Sequence, residues 1–404
     1  MTGCAAAKPG HLHSYSADVP ASVPYAPVPP FAAPVRKVGA PLAAIVGLGT
    51  IAALLLTLIT AVNPAGTVLG FALSTAAMAG VVLCYLWLDR WEPEPPRLLM
   101  LAFLWGASVA VVLSVAFEHL LSVSLTGTAE GAHKPSLVTA AVGAPLVEEA
   151  AKGLFLLLMM TGRRRIELNT LTDCLVYAGF TAVGFAWLEN IFYIAGGESI
   201  THSLTIAGLR LAIGPFAHPL FTTMFGIGVY CAMQQRGALA RTACLLAGYV
   251  AAVVMHGLWN GSALLGARAY LGVYVLWMMP IFALGITLAV LSRRRERRII
   301  AGKMPGMIAE RLVTPAEAAW VTSLSQRRAA VRIARRQGGR RAASAVKSFF
   351  TQVVSLAYVR DRIDRGFGDQ RVFALQNEEA YGVVAARAAA APVLDQLVYR
   401  IPAR

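Results

Sequence analysis

The sequence predicts an all-α protein that crosses a membrane about eight times. Hydrophobic residues make up 57% of the 404 residues and charged residues only 14%, which is too apolar for an ordinary water-soluble protein. Long apolar runs recur between Pro41 and Ser292, and each is close to the ~20 residues that a helix needs to cross the hydrocarbon. We therefore expect a polytopic membrane protein built from helices.

Three regions follow from the distribution of these runs. Residues 1–40 are rich in Pro and Ala and are expected to form a disordered arm, residues 41–292 to form the transmembrane domain, and residues 293–404 a tail that is partly helical. The eight expected spans are 41–63, 66–88, 98–124, 137–160, 174–196, 204–234, 242–266 and 270–292.

Positive charge is concentrated in the tail. Residues 293–404 contain 22 Lys and Arg against 9 Asp and Glu, and so carry a net +13 of the total +15. Beside a membrane, this charge indicates contact with anionic lipid headgroups, with nucleic acid as the less favoured alternative. Residues 325–366 combine Ala, Arg and spaced aliphatic residues, with a Gly-Gly break at 338–339. They predict either an amphipathic helix lying on lipid or on the membrane domain, or a small solvated helical appendage.

The loops predict the orientation. The connections after spans 2, 4 and 6 contain seven of the eight arginines found between spans, whereas those after spans 3, 5 and 7 contain only Lys134 and Arg268 as basic residues. The positive-inside rule then places both termini in the cytoplasm of a multi-pass protein of the cell (plasma) membrane.

Span 4 contains two adjacent carboxylates and a lysine, in the segment "APLVEEAAKGLFLLLMM". A charge near the bilayer centre costs roughly 2.5 to 3.5 kcal/mol even on lenient scales, so function is the default hypothesis. Lys152 follows Glu148 by four residues and so shares its helix face, whereas Glu149 is rotated by ~100°. We expect one carboxylate to pair with Lys152 and its neighbour to be free for proton chemistry. An interhelical ion pair is the alternative, but it needs only one carboxylate.

The next three spans contain further polar residues, which single interhelical hydrogen bonds could also explain. Span 5 has Glu189 and Asn190 in "GFAWLENIFYI", span 6 has His218 between two prolines, and span 7 has His256 and Asn260 on one face. Because none of these side chains belongs in lipid, all should face a common interior.

Together these residues predict hydrolysis within the membrane. Two histidines and a carboxylate form a zinc-ligand set that leaves a position for water, and a second carboxylate is what a general base requires. An amide such as Asn260 could donate to the oxyanion formed when water attacks a peptide carbonyl. The His-Glu-x-x-His motif is absent from the sequence, so a zincin-type site is excluded.

The sequence resembles the PrsW family of intramembrane proteases, within the wider group that includes CAAX-prenyl proteases. The resemblance rests on "EEAAK" (148–152), "FAWLEN" (185–190), His218 and "HGLWN" (256–260), with "LDRWEPEPPRLL" (88–99) similar to the family's acidic-proline loop. It covers roughly residues 75–292. It implies a metalloprotease whose active-site residues are Glu148, Glu149, Glu189, His218 and His256. CAAX-type relatives have His where this chain has Glu189, which favours the PrsW branch, and some relatives have Asp at the position of Asn260.

The working hypothesis assigns a role to each residue. Glu189, His218 and His256 hold a divalent metal, zinc by preference. Either Glu149 or Glu148 takes the proton from the bound water, and the second of these glutamates pairs with Lys152. Asn260 donates a hydrogen bond to the oxyanion. The depth of Glu189 and His256 in their spans suggests that a membrane-tethered protein is cleaved near its extracytoplasmic side. The resemblance implies that this substrate is an anti-sigma factor, as in regulated intramembrane proteolysis.

Two other function classes remain open at this stage. A proton- or ion-coupled secondary transporter also uses Glu and His near the membrane centre, but no inverted repeat is visible. A membrane scaffold would leave the buried ionisable residues unexplained. We expect Arg210, Glu118, His119 and Asp173 to be interfacial and outside the site. The sequence leaves the oligomeric state, the substrate and the metal open.

Overall fold

The computed structural model describes residues 42–126 and 136–400, and these form helices and connections without a β-strand. The all-α expectation is confirmed, whereas the expected arm 1–40 lies outside the described residues. The helices of the apolar region are α1 (Leu42–Val62), α2 (Pro64–Leu88), α3 (Pro96–Trp105), α4 (Val111–Thr126), α5 (Ala144–Met159), α6 (Leu171–Ala195), α7 (Ile200–Ala207), α8 (Ala217–Met233), α9 (Ala238–Leu264) and α10 (Ala267–Val273). They are followed by α11 (Met279–Ala309), α12 (Pro315–Val321), α13 (Leu324–Arg362) and α14 (Gln370–Val398).

Eight helical runs within the described residues are long and apolar enough to cross a membrane, as the sequence predicts. Seven of them correspond to expected spans. The eighth run is Leu324–Phe367, in the expected tail, while the expected span 137–160 is not among them. A π-helical turn at Thr139–Gly143 extends α5 to a sufficient length, but the helix contains three charged side chains, Glu148, Glu149 and Lys152.

Helix α6 is the centre of the membrane region. In its most apolar stretch of 18 residues, 89% of the residues are buried. The helix packs against α2, α3, α5 and α8. The approach of α3 to α6 depends on two glycines, since a Cβ at Gly106 would collide with the Thr181 carbonyl and one at Gly184 with the Phe103 carbonyl. A capping box between Thr170 and Asp173 starts α6. This packing brings the polar faces of α5, α6, α8 and α9 together.

The expected span 6 is broken into two pieces. A π-helical turn at Gly208–Ile213 ends the short helix α7, and α8 begins at Ala217 after the Gly214–Pro215 step. A proline and a π-turn are recognised causes of helix breaks. His218 therefore lies in the first turn of α8, beside the break.

The C-terminal helices form a bundle with its own hydrophobic core. Helix α13 packs against α14 and α11, and it bends at Gly338 and Gly339, where the latter has φ of 70°. Phe349, Phe350 and other buried residues form the core, and Trp91 from the α2–α3 connection packs into it. The break expected at 338–339 is thus confirmed, and helix α11 runs unbroken through residues 292 and 293, where we expected the tail to start.

Candidate active site

The charged residues of α5 form a buried, three-membered ion cluster. Lys152 Nζ donates to Glu149 Oε1 at 2.8 Å and to Glu148 Oε2 at 3.1 Å. Lys152 and Glu149 are 0% exposed and Glu148 is 4% exposed. The expectation that Lys152 pairs with one carboxylate and leaves the other free is therefore wrong. The long lysine side chain reaches both, because positions three and four residues apart are both neighbours on a helix.

The imidazole of His218 lies between α5 and α6. Its Nε2 is 2.8 Å from Glu189 Oε2, and its Nδ1 is 3.1 Å from Lys152 Nζ and 3.9 Å from Glu148 Oε2. One ring nitrogen thus faces the carboxylate of α6, and the other faces the ion cluster of α5.

The imidazole of His256, on α9, is arranged in the same way. Its Nδ1 is 3.0 Å from Glu149 Oε1, and its Nε2 is 3.8 Å from Glu148 Oε2. The ring stacks on Phe221 at a centroid distance of 4.7 Å, which fixes its plane. Each histidine therefore has one nitrogen on an orienting carboxylate and one turned toward Glu148.

Three donor atoms of this group fit a metal ion. Among the described residues, Glu148, His218 and His256 form the one set of His, Cys, Asp or Glu whose ligand atoms all lie within 4.8 Å of one another. Two imidazoles and a carboxylate suit zinc, and catalytic zinc sites use three protein ligands. The carboxylates behind the imidazoles, Glu149 and Glu189, match the outer partners that usually hold metal-binding histidines in position.

Glu189 was expected to be a ligand, and the structure gives it different partners. It forms ion pairs with His218 and with Arg210, and it does not belong to the group whose donor atoms converge. Arg210 also donates from Nε to Asn190 Oδ1 at 2.7 Å. The expectation that Arg210 lies outside the site is wrong, because the π-turn after α7 directs it toward the Glu-Asn pair of α6. The same expectation is wrong for Glu118, whose carboxyl group hydrogen-bonds to Glu148.

Asn260 lies one turn after His256 on α9. Its Nδ2 donates to the Ala140 carbonyl at 3.2 Å, so one of its two N–H groups has a partner. Its role as an oxyanion donor stays a prediction that rests on the other N–H group.

Sequence reasoning missed Thr222, which lies one turn after His218. Its hydroxyl donates to Glu149 Oε2 at 2.8 Å and is fully buried. Together with Lys152 and His256, it gives Glu149 three hydrogen-bonding partners. A threonine in an apolar run carries no specific signal, since it can equally bond to its own helix backbone.

Comparisons with known proteins agree with this geometry. Residues 94–285 match the family model described as PrsW family intramembrane metalloprotease. The chain is similar to Protease PrsW of Geobacillus kaustophilus, at 27% identity over 51% of this chain and 87% of the relative. It is also similar to Protease PrsW of Clostridioides difficile, at 22% identity over 54% of this chain and 88% of the relative. No solved structure matches the chain.

The matched region contains α5, α6, α8 and α9, and therefore every residue of the buried Glu, His and Lys group. Over residues 94–285, this chain is similar to the PrsW family of intramembrane metalloproteases.

Proposed function

We propose that this protein is an intramembrane endopeptidase whose catalytic domain is residues 41–292. Its substrate is a membrane-tethered protein. The observation that carries the proposal is the convergence of Glu148, His218 and His256, each of which is at most 8% exposed. His218 and His256 lie on helical runs that are apolar enough to span a membrane, and Glu148 lies on α5, which packs against both of them. Such groups are costly in lipid unless they serve a function.

In the proposed site, Glu148 Oε2, His218 Nδ1 and His256 Nε2 would hold a divalent metal, zinc by donor type. When bound, zinc supplies Lewis acidity and a water that ionises near neutral pH. This assignment replaces Glu189 by Glu148 in the expected ligand set. Glu189 orients the imidazole of His218 from behind, and Glu149 is the carboxylate that remains for the attacking water.

The remaining residues then handle the proton and the developing charge. Glu149 accepts the proton of the attacking water, whose oxygen bonds to the scissile carbonyl carbon. Glu149 returns this proton to the leaving amine nitrogen as the C–N bond breaks. Thr222 and Lys152 hold the Glu149 carboxylate in place. The second N–H of Asn260 donates a hydrogen bond to the oxyanion of the scissile carbonyl.

The substrate and the surroundings complete the proposal. The target is a membrane-tethered regulator such as an anti-sigma factor, and the enzyme lies in the cell membrane with both termini cytoplasmic. Six exposed arginines of α13 contact anionic headgroups: Arg328, Arg332, Arg335, Arg336, Arg340 and Arg341.

The test compares membrane-protein fragments by N-terminal peptide mass spectrometry in cells that express wild type or Glu148→Gln/Glu149→Gln at matched levels. New N-termini near a transmembrane boundary should appear with wild type and with the exposed tail control Glu378→Gln, but not with the double variant. Identical fragment profiles under resting and stress conditions, with the double variant folded and inserted, would refute a protease and favour transport.

A further inference from the structure

A second polar cavity lies at the opposite end of α6 from Arg210, where the C-terminal bundle meets the membrane region. It has a volume of about 210 Å³ and is lined by residues from the start of α6 and from α8, α11 and α13. Its polar lining includes Thr170, Ser292, Glu296, Tyr358, Arg295 and Arg365. It contains no residue of the Glu and His group described above.

The inner wall of this cavity is acidic and incompletely bonded. Glu296 is 3% exposed, and its carboxylate accepts a long contact of 3.5 Å from the Thr170 hydroxyl and a hydrogen bond from Thr172. Tyr358 is 4% exposed, and its hydroxyl has no hydrogen-bond partner among the described residues. A buried hydroxyl without a hydrogen-bond partner destabilises the fold, so a ligand that bonds to it is favoured.

Further carboxylates lie behind this wall. Asp89, Glu94 and Asp173 are each at most 5% exposed, and Glu92 has a buried Oε2 without a hydrogen-bond partner among the described residues. Each of them lies close enough to Asp173 or Glu296 to interact electrostatically. A cation placed among these closely spaced carboxyl groups would relieve their mutual repulsion, so the interior of the cavity favours a positively charged group.

The mouth of the cavity has the opposite character. Arg295 is exposed and donates one N–H to Tyr230, and Arg365 is half-buried and bonds to Asp361 and Gln234. A guanidinium has five N–H donors, so each arginine keeps donors for a further acceptor. Leu291 beside them is 50% exposed on the membrane-facing helix α11.

We propose that this cavity binds the headgroup of phosphatidylethanolamine, a phosphodiester joined by two carbons to a primary ammonium. The ammonium lies inside and donates to Glu296 and Tyr358, the phosphate lies at the mouth against Arg295 and Arg365, and the acyl chains leave along Leu291. The headgroup has no net charge, so binding matches both ends of the cavity without adding charge to a buried region. This site is independent of the proposed proteolysis.

The test uses the full chain in nanodiscs with equal amounts of phosphatidylethanolamine and phosphatidylcholine of matched acyl chains. Native mass spectrometry counts which lipid stays bound. The trimethylated ammonium of phosphatidylcholine has no N–H donor, so wild type should retain phosphatidylethanolamine about tenfold more, the effect of one hydrogen bond to a charged group. Stepwise methylation of the amine should reduce retention progressively.

Variants locate the site. Glu296→Gln should bring the preference close to one, and Tyr358→Phe should reduce it about two- to tenfold. The control Glu378→Gln, on the exposed face of α14, should keep the wild-type preference. Equal retention of the two lipids by wild type would overturn the proposal, and this comparison requires no variant. A preference that survives in both variants, or phosphatidylglycerol competing as well as phosphatidylethanolamine, would also overturn it.

Discussion

Replacing Lys152 by Met should destabilise the protein strongly, and a divalent metal should reverse much of the loss. The Lys152 ammonium is fully buried at 2.8 Å and 3.1 Å from two carboxylates. At an effective dielectric constant of about 20, each contact amounts to about 5–6 kcal/mol of attraction. Desolvation and relaxation reduce the cost of removing one partner of a buried pair to ~3–5 kcal/mol.

The assay is thermal unfolding of the detergent-solubilised chain with and without Zn²⁺. At ~2 °C per kcal/mol, the variant should unfold about 6–10 °C below wild type without metal. Because Lys152 donates to Glu148 and His218, its removal also frees two of the proposed ligands, so added Zn²⁺ should stabilise the variant more than wild type. The control is Lys347→Met, at an exposed position of α13.

Two results would refute this reasoning. A Lys152→Met chain as stable as Lys347→Met without metal would show that the lysine does not offset the charge of the carboxylates. A Zn²⁺ effect equal to that on wild type would show that lysine and metal do not compete for the same atoms.

Three further changes have defined outcomes. Thr222→Val should lower peptidase activity ~10–100-fold, because Glu149 loses its hydroxyl donor. The control Thr222→Ser should retain activity, and both variants are measured by turnover of the substrate found by mass spectrometry. Trp91→Ala should cost ~3–5 kcal/mol and loosen the C-terminal bundle, seen as faster proteolytic nicking, and unchanged nicking would argue against this contact. Burial and, less strongly, the charge of Asp173 raise the pKa of Asp89 to about 8, opposed by a backbone N–H bond from Glu94. Because the folded state binds this proton more tightly, the stability that Asp89 contributes should be fully present below about pH 4 and be lost as the pH rises to 8. The loss should be up to ~1.4 kcal/mol per pH unit, and Asp89→Asn should remove it.

The sequence predicted seven of the eight membrane-length runs and most of the residues that the site brings together. Charged and polar side chains are so costly in lipid that Glu148, Glu189, His218 and His256 could be assigned to a shared interior from the sequence alone. Hydropathy placed the spans for the same reason.

The sequence could not predict which carboxylate faces both imidazoles. That depends on the rotation of α5 against α6, which the π-turn at Thr139–Gly143 and the packing of neighbouring helices set. The position of Arg210 depends likewise on the break before α8, and that of Thr222 on the orientation of α8. The sequence could not distinguish an amphipathic surface helix from a solvated appendage at α13. The many arginines of this helix mask the periodicity of its buried apolar face.

Metal content tests the central claim, that Glu148, His218 and His256 form the metal site, most directly. Wild type and the variants Glu148→Gln and Glu189→Gln would be purified, loaded with Zn²⁺, dialysed against a weak chelator and assayed by elemental mass spectrometry. We predict about one zinc per chain for wild type and none for Glu148→Gln. Glu189→Gln should still bind zinc, but with an affinity ~10–100-fold lower than that of wild type. Zinc lost from Glu189→Gln but retained at wild-type affinity by Glu148→Gln would contradict the account.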